Sequence, residues 1–520
     1  MLAALIGLAA GPAHPAGRSV SAARSVRLYE VFQQTLHWSS TASNPWEQAS
    51  VDVKLLSPGG TVVEIGGFYA APGTWEFRFA PAQLGRWSWT AVVTEGSRQG
   101  AFRGSFVAVK GSSPGFVRQS PLNRQRWTFT DGSPFYPIGI QDCTGDNGGA
   151  DFRFGLDGGF RSGPNDPGKL VDMTTYLRTY ASAGFDLFRW GPDNCSFSLY
   201  QAIDPAGNVY SAAGGADADL LFRTLRRYGF RIEMALFGFH PPFTSSADAA
   251  DPAKMAAVEK YVRYVVDRYG AYVDFWELMN EANASDSWIT QVGGYLHEVD
   301  PYHHPLGTNW SVPQLPVIQF GTDHWYVDED PLESDAVTWS RLRNEPARAL
   351  GKPTLVDEQG NSGQNWDPTS ATRLRLRSWT AFFAEATLVF WNTSWAKDYR
   401  AGTANVYLGP VERRFVRILQ NYTQGFDPRA RVVPARLAPA AAARGYALRG
   451  PSEYGLYVVA AGDHTAPTSG LTAIVDPARA GTATWTDPAT GRVLATKRVR
   501  GGTQTLSVPA FVTDIALEIA

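Results

Sequence analysis

Cysteine is scarce in this chain: two residues, Cys143 and Cys195, among 520. A disulfide-dense scaffold and a multi-cysteine zinc module are excluded, and at most one disulfide is left. An excess of charge is missing too. Lys and Arg number 47 against 49 Asp and Glu, a net charge of −2. A nucleic-acid partner, which selects a basic surplus, is therefore not expected. Beyond the N-terminus no apolar run is long enough to span a bilayer, so no membrane partner is expected either. The chain contains no His-Glu-x-x-His, a common signature of a bound metal. His303-His304 has no further ligand at metal spacing. The expectation is a protein with no cofactor and no metal, with calcium in the Asp/Gly-rich loop 142–158 left open.

Apolar and aromatic material is plentiful. Hydrophobic residues make up 44% and charged residues 18%, which favours packed cores over disorder. There are 17 Trp, 21 Tyr and 28 Phe. Rings at this density fill cores, and they also suit the flat C–H faces of sugars. At roughly 150 residues per domain the length predicts about three domains. Residues 1–24 open with an apolar run, Leu2 to Ala10, followed by small residues and prolines, without a basic start. This reads as a signal-like leader and hence a secreted or extracytoplasmic protein.

Three segments follow. Residues 25–112 alternate as short strands, such as ASVDVKLL and GRWSWTAVV, separated by turns such as SPGG. They predict an antiparallel β-sandwich, whose Trp75, Trp87 and Trp89 either fill its core or form a sugar-binding surface. Residues 120–427 change to strand–helix repeats. Apolar strands are expected at 135–141, 185–191, 230–239, 273–281, 304–310, 318–326, 352–361 and 387–395. Amphipathic helices lie between them, several stopped by glycine, as at Gly184, Gly229 and Gly270. The connection after the fifth strand is short and weakly helical. Eight strands in this length predict a (β/α)8 barrel. A doubly wound open sheet is the rival, but GIQDCTG after the first strand lacks a phosphate-loop spacing. Residues 428–520 return to strands and predict a second β-sandwich.

In such a barrel, functional groups gather where strands end. Strand ends here carry Asp142, Arg189 with Trp190, His240, Asn280 with Glu281, His324 with Tyr326, Glu358 and Trp391. The interiors of the same strands (Leu278, Leu355, Val389) are apolar. Strands 4 and 7 lie across the barrel from each other, so Glu281 and Glu358 can face one another over a central pocket. Two opposed carboxyls are what cleavage of a glycosidic bond requires, one protonated to donate and one ionised to attack.

The segments WELMNEAN and LVDEQGN resemble the strand-4 and strand-7 motifs of clan A glycoside hydrolases, cellulase-like and β-xylosidase-like enzymes of retaining mechanism. Asn-Glu at strand 4, Glu at strand 7 and a separation of 77 residues (358 − 281) together carry the resemblance, over about 135–425. It implies that Glu281 is the acid/base, Glu358 the nucleophile and Asn280 a ligand of the sugar 2-hydroxyl. It further implies Arg189 beneath the nucleophile, His324 and Tyr326 beside it and Trp391 as a sugar platform. His240, Asp142 and Trp190 are further candidates for sugar contacts. The outer segments resemble the immunoglobulin-like domain before, and the small sandwich behind, such barrels. Cys143 and Cys195, after neighbouring strands, are candidates for one disulfide. The resemblance implies a carbohydrate substrate and an exo-acting retaining hydrolase. A transglycosylase of the same fold, a non-catalytic sugar-binding protein and a wall-attachment protein are the alternatives.

Overall fold

A computed structural model describes residues 18–19, 24–142, 153–156, 169–192, 196–326, 330–360, 370–391 and 408–520. Cys143, Cys195 and most of the loop 142–158 lie outside the described residues, and with them the expectations of a disulfide and of calcium. No described helix is long and apolar enough to cross a membrane. The chain divides into two units, Met1–Ser113 with Arg263–Ala271, and Pro114–Val262 with Tyr272–Ala520.

The first unit contains two facing β-sheets. The strands Ala49–Leu56 and Gly85–Glu95 bury every second residue, Val51, Val53 and Leu55 on one, Trp87, Trp89 and Ala91 on the other. The three-stranded sheet of Phe32–His37, Thr74–Phe79 and Phe68–Ala71 buries Phe32, Leu36, Trp75 and Phe77. Ring pairs link the sheets: Phe32 stacks on Phe106 at 4.1 Å, and Phe77 meets Trp89 edge-on at 5.1 Å. Trp75, Trp87 and Trp89 are thus core residues, not a sugar surface. Alternation with exposed neighbours such as Ser88 turns them inward, as the pleat demands.

The second unit is a barrel with a β-sandwich behind it. Its eight parallel strands are β1 (Ile138–Gln141), β2 (Leu187–Trp190), β3 (Arg231–Phe237), β4 (Phe275–Met279), β5 (Leu306–Gly307), β6 (Gly321–Tyr326), β7 (Thr354–Gly360) and β8 (Ala386–Trp391). Each pairs with its neighbours in sequence, and β8 pairs with β1. The ladder is broken only between β5 and β6. That seam is bridged by Gln319 N donating to Leu306 O at 2.7 Å and by Thr322 Oγ1 donating to Thr308 O at 2.6 Å.

The helices are α1 (Met173–Ser182), α2 (Ala212–Arg227), α3 (Pro252–Tyr269), α4 (Asp286–Val299), α5 (Ser334–Arg343), α6 (Ser370–Phe383) and α7 (Pro410–Thr423). The caps follow from the sequence. Asp172, Ser211 and Ser285 accept from first-turn amides of α1, α2 and α4, satisfying groups that the helix itself cannot. Gly184 and Gly229, at φ +92° and +85°, end α1 and α2 in the left-handed conformation that glycine adopts without a Cβ clash. Between β5 and β6 the chain forms no helix, and β5 spans two residues rather than the seven expected.

A short antiparallel sheet, Val117–Gln119, Trp127–Phe129 and Pro134–Phe135, closes the N-terminal mouth of the barrel. Val117, Trp127 and Phe135 pack with Leu187, Phe275, Phe320, Leu355 and Val389. Asp274 pins this floor, accepting from Val117 N at 3.2 Å and Arg226 Nη1 at 2.6 Å.

The C-terminal sandwich, sheets of six and three strands within 431–519, packs on α6 and α7. Arg375 donates to both oxygens of Asp514, at 2.8 and 3.0 Å, and the Tyr457 hydroxyl donates to the same carboxylate at 2.8 Å. Trp379 stacks on Tyr457 at 5.4 Å. Removing one partner of a buried pair leaves an uncompensated charge. We therefore expect Asp514→Ala to lower stability by ~3 kcal/mol in urea denaturation. Arg375→Met combined with Asp514→Leu should recover most of the loss.

Candidate active site

Alternation along the barrel strands builds the site. Leu187, Phe275, Leu355 and Val389 form an apolar layer. Two residues further along each strand, on the same face, stand Arg189, Glu277, Asp357 and Trp391. The register slips on both sides of β7, between Thr322 and His324 against β6 and between Val356 and Gln359 against β8. A bulge of this kind re-aims a side chain, and here Glu358 joins Asp357 beside Arg189.

Arg189 is buried at the hub. Its Nε and Nη2 donate to the two oxygens of Glu277, both at 2.7 Å, and Nη2 also donates to Asn280 Oδ1 at 2.6 Å. Its Nη1 donates to Glu358 Oε1 at 2.7 Å and to Gln141 Oε1. Burial alone would loosen its proton, but the charges of Glu277, Glu358 and Asp357 reverse this and raise its pKa well above the ordinary value.

Glu358 is buried and accepts from three donors: Arg189 Nη1, Gln141 Nε2 at 3.1 Å and the Tyr326 hydroxyl. Burial pushes its pKa up, yet His324, Arg189 and the Tyr326 hydrogen bond outweigh burial, and the net shift is downward. Glu358 is held as a carboxylate. The Tyr326 phenol shifts the other way, upward, through burial and the neighbouring Glu358 charge, so it stays a donor.

Glu281 stands in a different environment. It lies two residues past β4, its side chain 28% exposed, with His324 Nδ1 2.7 Å from its Oε1. The backbone of Glu281 is left-handed, φ +46°, a conformation that costs on the order of 1–3 kcal/mol in a non-glycine residue. Oxygens of Glu281 and Glu358 and a ring nitrogen of His324 all lie within 4.8 Å of one another.

The structure therefore brings together Glu281, Glu358, Asn280, Arg189, His324 and Tyr326. Trp391 is half-buried at the end of β8, in register with Gln141. Two candidates are placed elsewhere. Trp190 follows Arg189 on the strand and so faces the opposite way, toward the helices. It is 1% exposed and packs on Phe197 and on Phe222 of α2, with no face free for a sugar. Asp142 follows Gln141 in the same way and accepts from the Tyr176 hydroxyl of α1. His240 is exposed on the rim beyond β3.

Sequence reasoning passed over a deeper acidic layer: Glu233, Glu277 and Asp357, all fully buried. Each is a charge set within an apolar strand, a signal that two-residue periodicity exposes. Burial, reinforced by Glu277, raises Glu233 to about 8 and holds Asp357 well above the carboxylate range. Two sets, Glu281–His324–Glu358 and Glu277–His324–Asp357, have ligand spacing for a metal ion. Arg189 already bonds Glu358 and Glu277, and a divalent cation beside it would meet like charge. Protons and Arg189 balance these acids in the structure's own terms.

Residues 25–94 match a domain of unknown function, DUF5060. No curated protein matches the chain. Among solved structures, a candidate glycoside hydrolase of Bacteroides vulgatus ATCC 8482 is similar over 96% of this chain and 100% of its own, with TM-score 0.64 and 15% identity. This shows a shared fold. An exo-β-1,4-mannosidase of an Opitutaceae bacterium, strain TAV5, aligns over 59% of this chain and 62% of its own at TM-score 0.43 and 17% identity. A family 30 subfamily 8 xylanase of Clostridium acetobutylicum aligns over 67% and 93% at TM-score 0.44 and 15% identity.

The protonated Glu233 generates a prediction. Between its ordinary value of 4.5 and about 8 the folded protein keeps a proton that the unfolded chain has released, so stability falls as pH rises. Glu233→Gln mimics the neutral acid and removes that fall. Its advantage over wild type in urea denaturation should grow from about pH 5 to about pH 8, by at most ~1.4 kcal/mol per pH unit. A pH-independent difference would show that Glu233 holds no such proton.

Proposed function

We propose that this protein is a retaining glycoside hydrolase. The observation that carries the reading is one pair of carboxyls within 4.8 Å in unlike surroundings: Glu358 buried under three donors, Glu281 partly open. A retaining mechanism places its carboxyl groups about 5–5.5 Å apart, closer than an inverting one, which must fit a water between them. The fold shared with the Bacteroides vulgatus protein agrees with this reading.

Glu358 attacks the anomeric carbon while the leaving oxygen takes the proton of Glu281, giving a glycosyl ester on Glu358. Glu281, now a carboxylate, takes a proton from water, whose oxygen displaces Glu358 from the same carbon. The sugar leaves with its configuration retained, and both side chains return to their starting states. Arg189 and Tyr326 keep Glu358 ionised and aimed. Asn280 Nδ2 has no hydrogen-bond partner among the described residues and is the group we assign to a sugar hydroxyl near the reacting carbon. Long connections after β1, β3 and β8 support an exo mode on the end of a saccharide.

The reading is tested with a panel of glycosyl fluorides and plant, fungal and bacterial polysaccharides. Glu281→Gln should lower turnover about 10²–10⁴-fold on substrates whose leaving group needs a proton. Glu358→Ala should abolish it, with both variants folded by circular dichroism. A 2-deoxy-2-fluoro glycosyl fluoride should label Glu358, located by peptide mass spectrometry. Label on another residue, or full turnover by either variant, would refute the assignment. Incubation with EDTA should leave the rate unchanged, because each step uses only Glu358, the Glu281 proton and water.

A further inference from the structure

Aromatic side chains are abundant in this chain, yet among the described residues the large rings left exposed are two, Phe239 at 41% and Trp310 at 48%. Exposed rings scattered singly need no explanation. These two are not scattered. Phe239 lies two residues past β3 and Trp310 three past β5, and β3 and β5 are the hydrogen-bonded neighbours of β4, which Glu281 follows by two residues. Both rings therefore stand on the C-terminal rim, on either side of Glu281.

Trp310 is also tied to Glu281 through the backbone. Ala282 N donates to Asn309 O at 3.2 Å, and Trp310 N donates to Ala282 O at 3.4 Å. The Trp310 ring lies 6.1 Å from the His324 ring, and His324 Nδ1 is 2.7 Å from Glu281 Oε1. Glu358 lies farther from the same His324 nitrogen, at 3.4 Å, and its shorter contacts come from β1, β2 and β6. The open aromatic surface thus belongs to the carboxyl that serves the departing oxygen.

We infer that Trp310, with Phe239, forms a binding site for the leaving group, and that this leaving group is itself a sugar. A pyranose offers a flat face of C–H groups that an exposed indole can cover, while its hydroxyls stay in water. The natural substrate is then an oligosaccharide or a polysaccharide end, not a glycoside of a small alcohol. This rests on the glycosidase reading and deepens it: Glu281 is taken as the proton donor, and the rings identify what it protonates.

The test compares kcat/KM for a β-linked homodisaccharide with that for the fluoride of the same sugar, using whichever of the D-gluco, D-galacto, D-manno and D-xylo pairs wild type accepts. Fluoride leaves without occupying the ring site. Trp310→Ala should cut the disaccharide-to-fluoride ratio about tenfold or more, chiefly through KM. Trp310→Phe should restore most of it, and Leu350→Ala, an exposed apolar residue elsewhere, should leave it at the wild-type value. An unchanged ratio in Trp310→Ala, or an equal loss on both substrates, would overturn the leaving-group site while the glycosidase reading stood. Wild-type protein that cleaved no member of either series would remove that reading, and this inference with it.

Discussion

A single buried cation organises the barrel. Arg189 reaches residues of β1, β4 and β7 at once, through Gln141, Glu277, Asn280 and Glu358. A guanidinium can do this because its donors are planar and fixed in a fork, so two edges can grip two carboxylates in set directions. The burial is costly unless every donor is used. Here the geometry that satisfies Arg189 is also the geometry that fixes Glu358. Lysine would keep the charge and lose the fork, which makes this position one where a change of the same sign is not conservative.

The two opposed glutamates differ because the strands present them differently. Glu358 arises within β7, where a bulge turns it into the barrel among donors. Glu281 arises beyond the end of β4, on left-handed backbone, where fewer groups surround it. Two identical side chains thereby acquire unlike surroundings in one pocket. Beneath them, Glu233 and Asp357 take up protons rather than add charge, so the layer under Arg189 stays near balance.

Much of this is legible in the sequence. The apolar strand cores, the glycine stops at Gly184 and Gly229 and the polar strand ends give the (β/α)8 order, because each is a local signal. The capping sheet 117–135 was not legible, since strands of two or three residues carry no period. The fifth strand was drawn too long, because HPLGTNW is apolar enough for a strand but pairs through only two residues. Trp190 and Asp142 were misplaced for a plainer reason. Each sits next to an inward-facing residue, and neighbours on a strand point to opposite faces. The same rule, applied to FRIEMALF and FWELM, brings Glu233 and Glu277 into view.

The gap between β5 and β6 gives the barrel a soft side. Elsewhere parallel ladders hold the wall; there, bonds through the side chains of Gln319, Thr322 and Ser311 and one backbone pair bridge it. Amide exchange with solvent would begin along such a gap. Trp310 is mounted on the connection that leaves it, whereas Arg189 and Glu358 belong to the continuous wall. Substitutions along that connection can therefore remould one face of the rim while Arg189 and Glu358 keep their geometry.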